Sequence, residues 1–341
     1  MTMRIIFDAM GGDNAPDETL KGARLARDEY GVEITLVGDE PLLTERAAAL
    51  SIDLAGLDIR HAPTQISMED EPTAVLKEKG DCSMAEGLRM LKSGEGDAFV
   101  SAGNTGALVV GATMIAGRLK GIKRAALTTV IPSATGAYLL ADVGANAECR
   151  PEMLVQFGVM GSAYMEKIMG IAAPKVGIAN IGTEPHKGTS LQQETYRLMQ
   201  GAPLHFIGNA EARDIPFGVA DVVVCDGFTG NIILKLTEGL AKMMAGEVKK
   251  VMFKSPLTKL GALTMAGGMK GFKDKMDYSK YGGAPLLGLK APVIKAHGSS
   301  GAEAFQNAIR QAKTMVENGV ISTIETALGE MRQKAAEGGE Q

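Results

Sequence analysis

The chain has 341 residues, with 36 Lys and Arg against 40 Asp and Glu and a formal net charge of −4. Apolar residues make up 45% and charged residues 22%, ordinary proportions for a folded soluble protein. The length suits one large α/β unit or two average domains without covalent staples, and the negative charge argues against a globally basic nucleic-acid binder.

The three cysteines, Cys82, Cys149 and Cys225, are odd in number and form no CxxC pair. Neither a disulfide framework nor a zinc site is indicated, and a reducing cytoplasm is the expected setting. The apolar run before Asp8 is too short for a signal peptide. The uncharged stretch Ala98–Gly117 has the length of a membrane span, but its serine, asparagine and glycines suit a strand, a loop and a helix better. Glycine numbers 43, nearly twice the average usage of about 7%.

In chain order, Arg4–Asp8 reads as a strand, followed by a glycine-rich turn and a helix from about Pro16 to Tyr30. Glu33–Val37 and Leu57–His61 read as strands, Ser83–Ser93 as a helix, and Ala98–Ser101 as a strand. Ala126–Ile131 and Tyr138–Asp142 suggest a hairpin. Val176–Asn180, Leu204–Gly208, Val222–Cys225 and Val293–Lys295 are apolar runs of the buried parallel-strand type. In Ala302–Val316, apolar residues recur every three or four positions, predicting an amphipathic helix. The alternation predicts an α/β fold of three layers, a mostly parallel sheet with helices on both faces. Residues 1–335 read as one catalytic unit, with 336–341 in a frayed polar tail.

Ligands of open α/β sheets bind beyond the carboxyl ends of the strands, and several strands here end in loops of small polar residues. One runs from Asp8 through Gly11 and Gly12 to Pro16. Ser101, Gly103, Asn104, Thr105 and Gly106 form the best anion cradle, since glycines turn N–H groups toward a ligand and the next helix offers its positive end. Helix capping by Asn104 and Thr105 explains the same residues about as well. Asp142–Asn146, Asn180–Gly188 with Glu184, and Asp226–Asn231 end further strands. Lys187, Lys235 and Lys295 lie in or near such loops, where a lysine neutralises a phosphate or polarises a carbonyl. His297 opens the last amphipathic helix with a pKa suited to proton donation. No Walker lysine, GxGxxG or HExxH pattern is present, and the separation of Asp8, Asp142 and Asp226 makes a metal cluster a weak expectation.

Together, DAMGGDNAP, SAGNTGA, ADVGAN, NIGTEPHKG, DVVVCDGFTGN and DYSKYGGAPLLGLKAPVIKAHGSS closely resemble the bacterial acyl-[acyl carrier protein]:phosphate acyltransferase family, from about Met3 to Asn318. The resemblance implies a fold like the isocitrate and isopropylmalate dehydrogenases and the phosphotransacetylases. Such folds interleave chain segments, so two subdomains are expected, of about 1–100 plus 280–335 and about 101–279. It implies transfer of a long-chain acyl group from acyl carrier protein to inorganic phosphate, for a downstream membrane acyltransferase of phospholipid synthesis. A homodimer in the cytoplasm, peripherally associated with the membrane, is also implied.

Phosphate is itself the nucleophile in such chemistry, so neither a covalent acyl-enzyme nor a cofactor or metal is expected. Lys187 and Asn180 are expected to serve the thioester carbonyl, His297 and Lys295 the leaving thiolate, and Asp8, Gly11, Gly12, Asn146, Glu184 and Asn231 the substrates. An NAD(P)-dependent decarboxylating dehydrogenase of similar fold and a coenzyme A phosphotransacylase are the alternatives.

The net charge conceals an asymmetry. Leu240–Lys280 holds nine lysines against three acids and is rich in methionine. Leu240, Met244, Val248 and Val251 form a helical apolar stripe. Lys249, Lys250, Met252, Lys254 and Lys259 are therefore expected to meet an acidic carrier protein or an anionic membrane surface.

Overall fold

The computed structural model describes residues 2–276 and 282–338. Its strands are β1 (Arg4–Asp8), β2 (Glu33–Gly38), β3 (Leu57–His61), β4 (Ala98–Ser101), β5 (Ala126–Ser133), β6 (Gly136–Ala141), β7 (Lys175–Asn180), β8 (His205–Glu211), β9 (Val222–Val224), β10 (Ala284–Leu287) and β11 (Val293–Lys295). Its α-helices are α1 (Asp17–Tyr30), α2 (Glu40–Ala49), α3 (Ser83–Ser93), α4 (Thr105–Gly111), α5 (Pro151–Met169), α6 (Ser190–Gln200), α7 (Gly227–Met252), α8 (Pro256–Met276), α9 (Ala302–Glu317) and α10 (Val320–Gly338).

The strands join one sheet in the order β3-β2-β1-β4-β11-β10-β5-β6-β9-β7-β8. From β3 to β11 neighbours are parallel, and so are they from β6 to β8. Between these blocks β10 runs antiparallel to β11 and to β5, and β5 antiparallel to β6. The sheet is thus mostly parallel, as expected, but the two parallel blocks run in opposite directions. The expected hairpin is β5–β6, closed at Ser133 opposite Gly136.

Central strands are buried on both faces, which is why their sequences are continuously apolar. Ile5, Phe7, Val100, Val222 and Val224 enter one core, and Ile6, Phe99 and Val223 enter the other. This is the period of two that a strand imposes. The first face is covered by α1, α5, α9 and α10, the second by α3 and α4. At Gly22, on α1, a Cβ would lie 2.5 Å from the Phe305 Cβ of α9, so the missing side chain sets the approach of these helices. Phe305 in turn meets Phe7 at 5.4 Å between ring centroids.

One stretch differs from expectation: residues 336–338 of the expected frayed tail continue the α10 helix to Gly338. The α7–α8 pair forms a helical arm, and Leu240, Met243, Met244, Val248 and Val251 are exposed on it, so the apolar stripe read from the sequence faces solvent. The DYSKY opening of the last motif, with Asp277 and Lys280 of the basic segment, lies outside the described residues, as do positions 339–341 of the expected tail. Among the described residues, no helix is long and apolar enough to cross a membrane.

Candidate functional site

The end of β1 meets the ends of its neighbours β4 and β11. Asp8 is buried there, accepting hydrogen bonds from the Ser101 hydroxyl at 2.7 Å, the Met10 amide at 3.2 Å and the Ser83 hydroxyl. Burial pushes its carboxyl above the usual range, and these donors and Lys295 oppose that shift. The Gly103 amide donates to the Ser101 oxygen at 3.1 Å. A Cβ on Gly11 would lie 2.7 Å from the Gly103 nitrogen, so glycine there lets the first loop touch the SAGNTGA loop. Gly12 lies beside the loop after β11, where Asp13 donates to the Gly298 carbonyl at 2.8 Å.

Lys295 closes this group from β11. It is buried, and its ammonium donates to the carbonyls of Ala102, at 3.2 Å, and Ala296. Burial, helped by Lys235, holds its pKa down to about 8 against the pull of Asp8 and Asp13. His297 is lowered below its usual value by burial, Lys235 and Lys295. Its Nδ1 accepts from the Ser299 amide at 3.2 Å and contacts the Ser299 hydroxyl at 2.8 Å. With Nδ1 accepting from that amide, the neutral form of the ring carries its proton on Nε2.

The second group hangs on β6, β9 and β7. Asp142 accepts from the amides of Leu127, Ala145 and Asn146 and from the Asn146 side chain. Burial still raises its pKa to about 6. The Asn146 side-chain nitrogen also donates to the Ala125 carbonyl at 2.8 Å, so this residue braces the loop. Asp226 caps α7, accepting from the Thr229 amide and hydroxyl. After β7, Asn180 donates to the Lys187 carbonyl at 3.1 Å and accepts from the Ile181 amide at 2.8 Å. Lys187 is half-buried. A Cβ at Gly182 would lie 3.3 Å from Lys187 Cγ and 2.8 Å from Glu184 Oε2, so both side chains arch over that glycine.

Helix α7 joins the groups. Exposed Asn231, in its first turns, lies against Gly144, with 3.7 Å from the Asn231 side chain to where a Gly144 Cβ would sit. Lys235, one turn later on the same face, is close enough to depress both Lys295 and His297, and pairs with Glu238 at 3.0 Å. Sequence reasoning placed Lys235 near a loop. It is instead a residue of the helix wall shared by both groups.

Asn104 is the clearest change from the sequence reading. Its oxygen accepts from the Ala107 amide, capping α4, and its nitrogen lies 3.2–3.3 Å from the carbonyls of Ser67, Met68 and Asp70. Both polar atoms are thus taken up by the protein, and the residue clamps the acidic loop onto the cradle instead of offering its amide to a ligand. Thr105 and Gly106 form the first turn beside it, where amides precede the first intrahelical bond, from Leu108 to Asn104. Asp8 and Asp142 belong to separate networks, and no group of three or more His, Cys, Asp or Glu poised for a metal occurs among the described residues. Lys249, Lys250, Lys254 and Lys259 are exposed on the arm, Lys250 pairing with Glu247, and Met252 is half-buried.

Residues 3–323 match the fatty acid synthesis protein family. The chain belongs to this family. It is 48% identical to the phosphate acyltransferase of Alkaliphilus oremlandii, over 94% of this chain and 96% of that one. It is 50% identical to that of Thermoanaerobacterium thermosaccharolyticum, over 95% and 96%. Among solved structures, a phosphotransacetylase from Streptococcus pyogenes superposes with a TM-score of 0.62 at 20% identity, covering 96% of this chain and 94% of that one. A Salmonella typhimurium protein assigned as a 4-hydroxythreonine-4-phosphate dehydrogenase gives 0.52 at 12% identity, covering 92% and 99%. At such identities these structures speak for the fold, which is the dehydrogenase-like α/β architecture expected from the sequence.

Proposed function

We propose that the chain transfers a long-chain acyl group from acyl carrier protein to inorganic phosphate. Its family membership, with relatives of about half-identical sequence named phosphate acyltransferase, supports phosphate as the acceptor. The observation that carries the reading within the molecule is the buried Lys295 ammonium where glycine-rich loops converge. Lys295, the His297 Nε2–H, Lys235 and the Thr105 and Gly106 amides supply cationic and hydrogen-bonding partners for phosphate.

A phosphate oxygen attacks the thioester carbonyl directly. The C–S bond breaks, an acyl phosphate forms, and the proton carried by hydrogen phosphate passes to the leaving thiolate. Oxygen charge develops on the carbonyl in the transition state, and Lys187, held by Asn180 and flanked by Glu184, stabilises it. Asn231 lines the path between the two groups. No step requires a cofactor.

The arm is the docking surface in this reading. Exposed Lys249, Lys250, Lys254 and Lys259 stand among exposed Leu257, Leu260 and Leu263. Such a face suits an acidic carrier protein and an anionic bilayer, placing a homodimeric enzyme beside the membrane acyltransferase that uses its product.

The test is direct. Long-chain acyl carrier protein and phosphate are incubated with the protein, and acyl phosphate is trapped with hydroxylamine. Its phosphate-dependent formation is expected. Equal turnover with acyl coenzyme A would shift the assignment to a coenzyme A phosphotransacylase, and no product from either donor would overturn it.

A further inference from the structure

Strand β8 carries an irregularity where it pairs with β7. Val176 pairs with Phe206 but Gly177 pairs with Gly208, leaving Ile207 as an extra residue. Gly208 sits at a φ of +92°, a left-handed conformation that glycine adopts without a steric penalty. Bulges of this kind re-aim the side chains that follow them and recur beside active sites. The side chain that follows is Asn209.

Asn209 is buried, and its amide nitrogen donates to the Glu184 carbonyl at 2.7 Å. The same carbonyl accepts from the Lys187 amide at 3.1 Å. The Lys187 carbonyl, at the other end of this turn, accepts from Asn180 at 3.1 Å. Two buried asparagines, on adjacent strands, therefore hold the two ends of the turn that presents Lys187. Exposed Gln193 adds bonds to the His186 and Gly188 carbonyls. The Asn209 oxygen has no hydrogen-bond partner, an unpaired buried acceptor that is costly to keep. Its amide nitrogen makes the contact that explains a buried asparagine in the middle of this strand.

We propose that Asn209 is a positioning residue for acyl transfer, acting through the Glu184–Lys187 turn to aim the Lys187 ammonium. The proposal rests on the assignment of Lys187 to the thioester carbonyl.

The experiment compares Asn209→Ala and the near-isosteric Asn209→Asp, which lacks both donors, with Lys187→Ala and the two double variants carrying Lys187→Ala. Acyl phosphate formation and deuterium uptake by peptides spanning residues 181–189 are followed. Each Asn209 variant is expected to lose about tenfold in kcat, with both KM values within about twofold, because a displaced group costs rate more than binding. In the Lys187→Ala background the Asn209 substitutions are expected to cost nothing more. Uptake over 181–189 is expected to rise in both Asn209 variants.

Normal kcat in an Asn209 variant while Lys187→Ala is slow would overturn the positioning role, as would a further full loss in the double variants. Unchanged uptake would overturn it independently of any activity. Normal turnover by Lys187→Ala, with raised uptake in the Asn209 variants, would instead remove the role given to Lys187.

Discussion

The Ser101 hydroxyl donates to the buried Asp8 carboxylate at 2.7 Å while its oxygen accepts from the Gly103 amide at 3.1 Å. One hydroxyl thus links the end of β1 to the loop after β4. Ser101→Ala removes a bond to a buried acid and leaves the Gly103 amide unpaired. A loss of about 1–3 kcal/mol is expected, read by urea denaturation. KM for phosphate is expected to rise several-fold, because the cradle loses its internal brace. Unchanged stability and KM together would mean the contact does not organise the cradle.

Lys295 sets a pH limb. Its pKa of about 8 lies below the ordinary lysine value, so the ammonium is the majority form below pH 8 and the neutral amine above it. If the ammonium attracts phosphate, kcat/KM for phosphate falls as pH rises through about 8, the free-enzyme value. Lys295→Arg keeps its charge and is expected to lack that limb, even if it is slower throughout. The stability sign is opposite. A base with a depressed folded pKa favours folding above its unfolded pKa of about 10.4, and that contribution is lost as pH falls through about 8. The ionisation state expected to attract phosphate is therefore the less stabilising one.

Much of this arrangement is legible in the sequence because the physics is local. Ile5, Ile6 and Phe7 run without a polar break because β1 is covered on both faces, and the glycine-rich loop after Asp8 marks the strand end. Strand β10 is harder to see. Gly283 and Pro285 weaken any strand pattern in that stretch, and its place beside β5 follows from pairing with residues about 160 positions earlier in the chain. Asn104 looks equally suited to capping and to anion binding until the loop at Ser67–Asp70 is seen to occupy its nitrogen. Asn209 gives no sequence signal, since a bulge and a carbonyl 25 residues away create its role.

The clamp on Asn104 predicts a charge-dependent defect. Asn104→Asp keeps an oxygen for the Ala107 amide but aims a carboxylate at three carbonyls that now lose their donor. The anion meets like partial charges, so the variant is expected to be about 2–3 kcal/mol less stable at pH 7. Protonation restores a donor, so the defect shrinks toward pH 4. Thermal melting of both proteins across this range measures the difference. A defect independent of pH would show that lost packing, not the carboxylate charge, is responsible.

The arm predicts salt-sensitive association. Its lysines are exposed, and charges exposed to solvent are screened beyond a distance of about 10 Å at 0.1 M salt. Binding to vesicles containing phosphatidylglycerol is expected to weaken at least tenfold between about 50 mM and about 500 mM NaCl, with little binding to purely zwitterionic vesicles. Reversing two charges, Lys249→Glu with Lys254→Glu, is expected to weaken binding at least about thirtyfold at low salt, at about 1 kcal/mol per lysine lost near the surface before the added repulsion of the two glutamates. Leu257→Ser with Leu260→Ser tests the apolar half of the face. It is expected to lower affinity at both salt concentrations while leaving the salt dependence in place, because burying apolar area does not depend on screening. Sedimentation with vesicles reads all three. Affinity that ignores both salt and charge reversal would assign the contact to the apolar residues alone.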